Sequence, residues 1–128
     1  MVLYDKIPLK NGLILELWDD SREGALGFWT VIAIARCKIE VKDEYFKEFG
    51  SPLDWYSPFV KKVGHYLVYQ QRKQRRMIPL KEKKNVFETM TERLKRHIIP
   101  YISKESFPKN FVLEKFRQTF LRSPDLLS

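Results

Sequence analysis

A run of basic side chains, Arg72-Lys73-Gln74-Arg75-Arg76, is the part of the chain with the clearest chemical meaning. Guanidinium groups bind phosphates and carboxylates through paired, charge-assisted hydrogen bonds. The run lies within residues 61–84, which contain nine basic residues and one acid, a net charge of +8 that equals the formal charge of the whole chain. The rest of the 128-residue chain is therefore neutral on balance, and the concentrated cationic segment predicts an anionic partner.

Seven cations of this segment are the candidate contacts: Arg72, Lys73, Arg75, Arg76, Lys81, Lys83 and Lys84. An acidic protein surface, bound by a non-catalytic interaction or regulatory module, is the first partner that suits them. The alternative is a nucleic acid whose phosphates contact Lys73 and the three arginines, with Tyr66 and Tyr69 stacking on bases. No helix-turn-helix, zinc-finger or ribonucleoprotein motif accompanies them. A third interpretation is that the charges only keep a strand edge solvated.

Residues for catalysis or metal binding are few. His65 and His97 are far apart in the sequence, and neither has a serine, cysteine or carboxylate at a spacing that activates a nucleophile. The single cysteine, Cys37, falls on the apolar face of a predicted strand, which favours an inert buried thiol. Asp19 and Asp20 are potential magnesium ligands, although two acids in a turn are usually just solvated. We therefore expect no enzymatic activity, no metal and no cofactor.

Two short patterns resemble the ligand-binding signatures of PilZ domains, a family that binds cyclic di-GMP. Asp19-x-Ser21-x-x-Gly24 is similar to the second signature of the family, and Arg72-x-x-x-Arg76 is similar to the first. The resemblance implies a β-barrel in which these five residues contact the cyclic dinucleotide. Here the two patterns occur in the reverse order, and fewer strands are predicted than a barrel needs.

Composition predicts one domain over residues 1–128. With 44% hydrophobic and 31% charged residues, the chain should bury roughly two-thirds of its unfolded surface on folding. One cysteine excludes an internal disulfide, and no apolar window reaches the roughly 18 residues of a membrane-spanning helix. No signal peptide is visible. We expect a cytoplasmic protein whose last residues, 123–128, are frayed.

Alternation of apolar and polar side chains predicts the strands, all of which precede residue 80. Leu13–Trp18 and Phe28–Val41 have the period of two that marks a strand. The longer one is expected at the centre of the sheet, antiparallel to the shorter one, with its first half covered on both faces. His65–Arg72 is a third strand, which must end by Pro79 because proline lacks a backbone donor. Residues 1–10 form an arm or a short edge strand.

Two helices are predicted after residue 80. Asn85 begins the first one in a capping box with Glu88, and Pro100 ends or kinks it. Phe107 begins the second, whose apolar stripe includes Phe116. The predicted fold is therefore α+β, with a small antiparallel sheet of about three or more strands followed by two amphipathic helices packed on one face.

Two shorter helices are predicted between the strands. Asp43–Gly50 is opened by an acidic cap and closed by glycine. The pair Ser57-Pro58 begins the other, which ends at Gly64. Trp55, just before this start, is expected in an irregular connection that its ring fastens to the core.

Overall fold

The computed structural model describes residues 1–49 and 52–121 and confirms the predicted α+β class. An antiparallel sheet contains five strands: β1 (Val2–Pro8), β2 (Ile14–Asp19), β3 (Arg22–Glu23), β4 (Phe28–Glu40) and β5 (Tyr66–Pro79). The helices are α1 (Pro52–Val63), α2 (Leu80–Ile102) and α3 (Phe107–Phe116), with a 3-10 helix at Asp43–Phe49 and a π-helical turn at Arg117–Leu121. The predicted fraying of residues 123–128 lies outside the described residues.

The chain forms two compact units, and each is assembled from two separate stretches. The first unit comprises Met1–Cys37 and Val68–Lys104, and the second comprises Lys38–Leu67 and the chain from Glu105 onward. Both β4 and β5 begin in one unit and end in the other. The basic run of residues 72–76 belongs to the first unit, whereas Lys61 and Lys62 belong to the second.

β4 is the central strand, as its sequence predicts. It pairs antiparallel with β2, which places Leu17 opposite Ala35, and both of these side chains are fully buried. On the other face Trp18 lies opposite Ile34, which is buried as well. The first half of β4 is therefore covered on both faces. β1 pairs antiparallel with β2, so the N-terminal residues form the predicted edge strand.

α2 packs on the sheet through its apolar stripe. One buried cluster of the first unit consists of Val31, Ala33, Ile78, Phe87 and Met90. Tyr4 of β1 also packs edge-on against Phe87, with ring centroids 4.9 Å apart. The two side chains from α2 thus cover a face that β4 and β5 share, which confirms that this helix lies on one face of the sheet.

The turn between β1 and β2 fastens the sheet to the end of α2. Gly12 has φ of +91°, a conformation that glycine adopts without strain. The Asn11 Nδ2 donates to the carbonyl oxygens of Ile102 at 2.8 Å and Lys104 at 2.9 Å, and its Oδ1 accepts from the Leu13 backbone N–H at 3.1 Å. The pair Asn11-Gly12 is typical of a turn, but nothing in the sequence indicates the contact with the helix.

An aromatic cluster centred on Phe116 forms the core of the second unit. The Phe116 ring centroid lies 5.3–5.7 Å from those of Phe46, Phe49, Trp55, Phe59 and Phe120. Trp55 and Phe59 are four residues apart and share one face of α1, so both reach the same ring. Phe59 is fully buried and Trp55 is half-buried, so packing against this ring favours a helix that includes Trp55.

α1 begins at Pro52, so the predicted start at Ser57 is wrong, and so is the irregular connection around Trp55. Pro58 lies inside the helix, where its ring is exposed. The predicted end is confirmed, since Gly64 follows the helix with φ of +89°. The predicted core contact of Trp55 is confirmed as well.

α2 extends beyond both of the ends that the sequence pattern predicts. It begins at Leu80, so Asn85 lies inside the helix and the predicted capping box is wrong. It continues past Pro100 to Ile102, although the proline cannot donate a hydrogen bond to the preceding turn. Ile102 is completely buried, and this burial offsets the missing bond.

β5 continues beyond Arg72 through the basic run to Pro79, which confirms the prediction that the strand ends by this proline. Met77 has φ of +60° and is 67% exposed, whereas its neighbour Ile78 is only 8% exposed. A left-handed residue in a strand shifts the alternation of side chains by one position, as in a β-bulge. The backbone at Met77 therefore turns Ile78 toward α2.

Candidate anion-binding surface

The basic run of residues 72–76 forms an exposed part of β5, which we call the basic strand. Side chains alternate along a strand. Lys73 and Arg75 lie on the side that faces α2, where both line a groove. Arg72 and Arg76 therefore project from the opposite face, and Arg72 donates to the Gln74 side chain on that face at 2.8 Å. The structure thus divides the predicted cluster between two faces of one strand.

The three predicted lysines lie in the first two turns of α2. The dipole of a helix makes this end positive, so cations there lower its stability. Lys83 is half-buried with its Nζ 3.9 Å from the centroid of the Trp29 ring, which gives it a partner inside the protein. Lys81 and Lys84 stay exposed. The presence of these two charges is therefore not explained by the stability of the helix.

Within the described residues, no carboxylate forms an ion pair with the basic strand. The side-chain ion pairs lie elsewhere: Arg22–Asp20, Lys95–Glu92, Lys109–Glu48 and Arg117–Glu114. The hydrogen-bond partner of Arg72 is an amide, and Arg36 likewise donates to the Gln70 amide at 2.8 Å. The described part of the chain therefore leaves this positive charge uncompensated and exposed to an external anion.

The two tyrosines expected to stack on bases differ in their surroundings. Lys38 places its Nζ 4.2 Å from the centroid of the Tyr66 ring, so one face of this exposed ring is covered by the protein's own cation. Tyr69 is half-buried and lines the groove beside α2. Neither ring is fully buried.

A groove between β5 and α2, the β5–α2 groove, lies beside the basic strand. Two adjoining pockets of about 360 and 460 Å³ form it and share Lys73, Leu94 and His97. Arg75 and Arg93 line the first pocket from opposite sides. The sequence does not predict Arg93 or His97 as site residues. These two side chains lie near the cations of the basic strand only because the fold packs α2 beside β5.

Asp19 and Ser21 hold their own loop together. The Ser21 backbone N–H donates to Asp19 Oδ1 at 2.9 Å, and the Ser21 Oγ accepts from the Ile32 backbone N–H at 3.0 Å. Asp20 accepts a hydrogen bond from Arg22 at 3.2 Å. The side chains of Asp19, Asp20 and Ser21, which the magnesium hypothesis and the second PilZ-like pattern involve, are therefore already bonded within the loop and to β4.

Cys37 is fully buried, and this burial, with a smaller contribution from the charge of Glu16, raises the pKa of its thiol to about 11. The thiol is thus protonated at neutral pH and is a poor nucleophile. His65 and His97 are exposed. Among the residues that the structure describes, no three His, Cys, Asp or Glu side chains are close enough to hold a metal ion.

In the described ranges, no helix has the length and apolar character needed to cross a membrane. Comparisons of the chain with family models, with curated proteins and with solved structures give no match.

Proposed function

We propose that this protein is a non-catalytic binding module whose basic strand binds an acidic segment of a partner protein. The observation that carries the proposal is the exposed, uncompensated charge of Arg72, Lys73, Arg75 and Arg76, which form no ion pair with any described carboxylate. Lys81 and Lys84 extend this charge into α2 at positions where it does not help the helix.

An extended acidic segment suits the shape of this surface. In the described part of the chain β5 pairs with β4 alone, so its other edge has backbone groups that can pair with an added strand. Alternate side chains of the added strand then meet Lys73 and Arg75 on one face and Arg72 and Arg76 on the other. Each pair of opposite charges across two strands contributes roughly 0.2–1 kcal/mol. A segment rich in aspartate and glutamate is therefore the partner of choice.

A nucleic acid is the second candidate, and the groove supplies the observation that favours it. Tyr69 and Tyr101 line the same pocket as Lys73, and proteins that follow single strands combine cations with aromatic rings in this way. Against it, Lys38 covers the more exposed ring of Tyr66 and Lys83 covers Trp29. The structure thus offers fewer stacking surfaces than the sequence suggests.

The test is the triple variant Arg72→Ser/Arg75→Ser/Arg76→Ser, titrated with a labelled peptide of alternating glutamates and with a labelled single-stranded oligonucleotide at two salt concentrations. We expect the parent to bind the peptide and the variant to bind it at least about tenfold more weakly, since hydrogen bonds between charged groups are lost. The melting temperature should hardly change, because exposed substitutions alter stability by only a few tenths of a kcal/mol per site.

A matched control, Lys10→Ser/Arg96→Ser/Lys104→Ser, removes the same charge from exposed positions elsewhere in the first unit. It should retain most of the peptide affinity. Equal losses in the two triple variants would show that only net charge matters and would contradict a defined site. Tighter binding of the oligonucleotide than of the peptide, with a steep salt dependence, would favour the nucleic-acid alternative.

A further inference from the structure

The β5–α2 groove has a charge pattern of its own. Its first pocket contains three permanent cations, Lys73 and Arg75 from β5 and Arg93 from α2, together with His97. Among the described residues that line either pocket, none has an acidic side chain. Like charges gathered around one pocket repel each other, so an anion that enters relieves the repulsion and gains charge-assisted hydrogen bonds.

The two ends of the groove differ in chemistry. The cations cluster in the first pocket, whereas the second has the rings of Tyr69 and Tyr101 and the side chain of Ile98. Leu94 and His97 lie where the pockets meet. An inorganic anion leaves the aromatic end unused, and a neutral apolar molecule leaves the cations without a partner. The groove is complementary to a molecule that has an anionic group at one end and an apolar body at the other.

The size of the groove also fits a small molecule. Pockets of about 360 and 460 Å³ that share three lining residues fall within the range of roughly 300–1,000 Å³ found for ligand sites. We propose that the β5–α2 groove binds a small organic anion, with its carboxylate or phosphate on Lys73, Arg75 and Arg93 and its apolar or aromatic body in the pocket that Tyr69 and Tyr101 line. This site shares Lys73 and Arg75 with the surface proposed for an acidic segment, and Arg93 distinguishes the two.

The experiment titrates the ¹⁵N-labelled full chain with 2-naphthoate, 2-naphthyl phosphate and decanoate, which vary the anionic group and the body separately. We expect saturable shifts of the amide signals of Gln71, Leu94 and His97 for at least one of these anions. The neutral analogue 2-naphthol and inorganic phosphate should each bind at least about tenfold more weakly, because each can use only one end of the groove. The tightest anion identifies the preferred head group and body.

Two variants locate the site. Arg93→Ala should weaken the binding of the preferred anion about tenfold, whereas Arg96→Ala, an exposed arginine on the same helix that does not line the groove, should change it less than about twofold. Gln71→Trp should block binding by filling the second pocket without changing the charge. Arg93 lies on α2, away from the strand edge, so Arg93→Ala should leave the affinity for the acidic peptide unchanged even as the small anion is lost.

Three results would each overturn the proposal. They are the absence of saturation by any of the three anions below about 1 mM, equal affinity for 2-naphthol and 2-naphthoate, and equal effects of the Arg93 and Arg96 variants. Should Gln71→Trp fail to fold, the two arginine variants still decide the question, since both change exposed side chains.

Discussion

Phe116 is the residue on which the packing of the second unit depends most. Its ring contacts five other aromatic rings and is only 1% exposed. Truncating it in Phe116→Ala leaves a cavity and should lower the free energy of unfolding by about 3–5 kcal/mol. Urea denaturation followed by tryptophan fluorescence measures this loss, because Trp55 touches the same ring. Leu26→Ala, at a position 93% exposed, should change stability by only a few tenths of a kcal/mol, and a similar loss in both variants would contradict the assigned core.

Cys37 makes stability fall at alkaline pH. Folding raises the pKa of its thiol from 9.0 to about 11, so with rising pH the unfolded chain loses this proton first. The contribution is fully present below about pH 9 and is lost as the pH rises through about 11. Because other groups also titrate, Cys37→Ala is the reference. We expect its free energy of unfolding to fall less than that of the parent between about pH 8 and pH 10.5 in urea titrations. Parallel curves would show that the thiol is not desolvated.

At the scale of elements, the start of α2 can be tested with one substitution. If the helix began at Asn85, removing that cap in Asn85→Ala would cost about 0.5–2 kcal/mol. Since the helix begins at Leu80, Asn85 is an exposed interior position, where alanine is the better helix former by up to about 0.7 kcal/mol. Thermal denaturation should therefore show an unchanged or raised melting temperature. A clear decrease in the melting temperature would indicate that the helix begins at Asn85 instead.

The left-handed residue in β5 provides a second test at this scale. Met77 has φ of +60°, a conformation that glycine adopts freely and that β-branched residues avoid. Met77→Gly should retain or slightly raise stability, and Met77→Val should lower it by about 1–3 kcal/mol. Both changes shorten an exposed side chain, so the difference between their melting temperatures reports the strain of the left-handed backbone conformation. Equal melting temperatures would mean that the strand has no such bulge.

The elements that sequence predicts well are those with a buried face. β4 is apolar on both faces in its first half and alternates in its second half, where the two faces have different surroundings, so its limits are predicted closely. The second half of β5 has no such pattern, because the residues from Gln70 to Met77 are all exposed. The first turn of α2 is exposed and lysine-rich, so it has no apolar spacing either. Contacts with the rest of the fold, rather than the local pattern, therefore determine where β5 ends and where α2 begins.

The candidate site shows the same division. The charges of the basic strand are visible in the sequence, because charge needs no structure to be counted. The groove is not, because it depends on β5 lying beside Arg93 and His97 of α2, more than fifteen positions from Lys73 along the chain. The groove combines side chains of a strand with side chains of the helix that follows it. Their juxtaposition comes from tertiary packing.

At the scale of the whole molecule, sequence predicts the α+β class but not the two-unit organisation. The alternation before residue 80 and the helical spacing after it determine the class, and both are local properties. The units, by contrast, each combine an early and a late stretch of chain. No local pattern indicates such a combination, because it depends on contacts between residues that are far apart in sequence.

The discontinuity of the first unit also imposes an order on the synthesis of the protein. Val31 and Ala33 leave the ribosome first, and Phe87 and Met90, which cover them, follow more than fifty residues later. At a synthesis rate of about 5–20 residues per second, the apolar face of β4 stays uncovered for roughly 3–11 s until Phe87 and Met90 are made. The interval is longer still between the synthesis of Asn11 and that of Ile102 and Lys104, whose carbonyl groups accept its hydrogen bonds. The emerging chain therefore presents sheet edges and an uncovered apolar face to chaperones, and the translation of α2 ends that exposure.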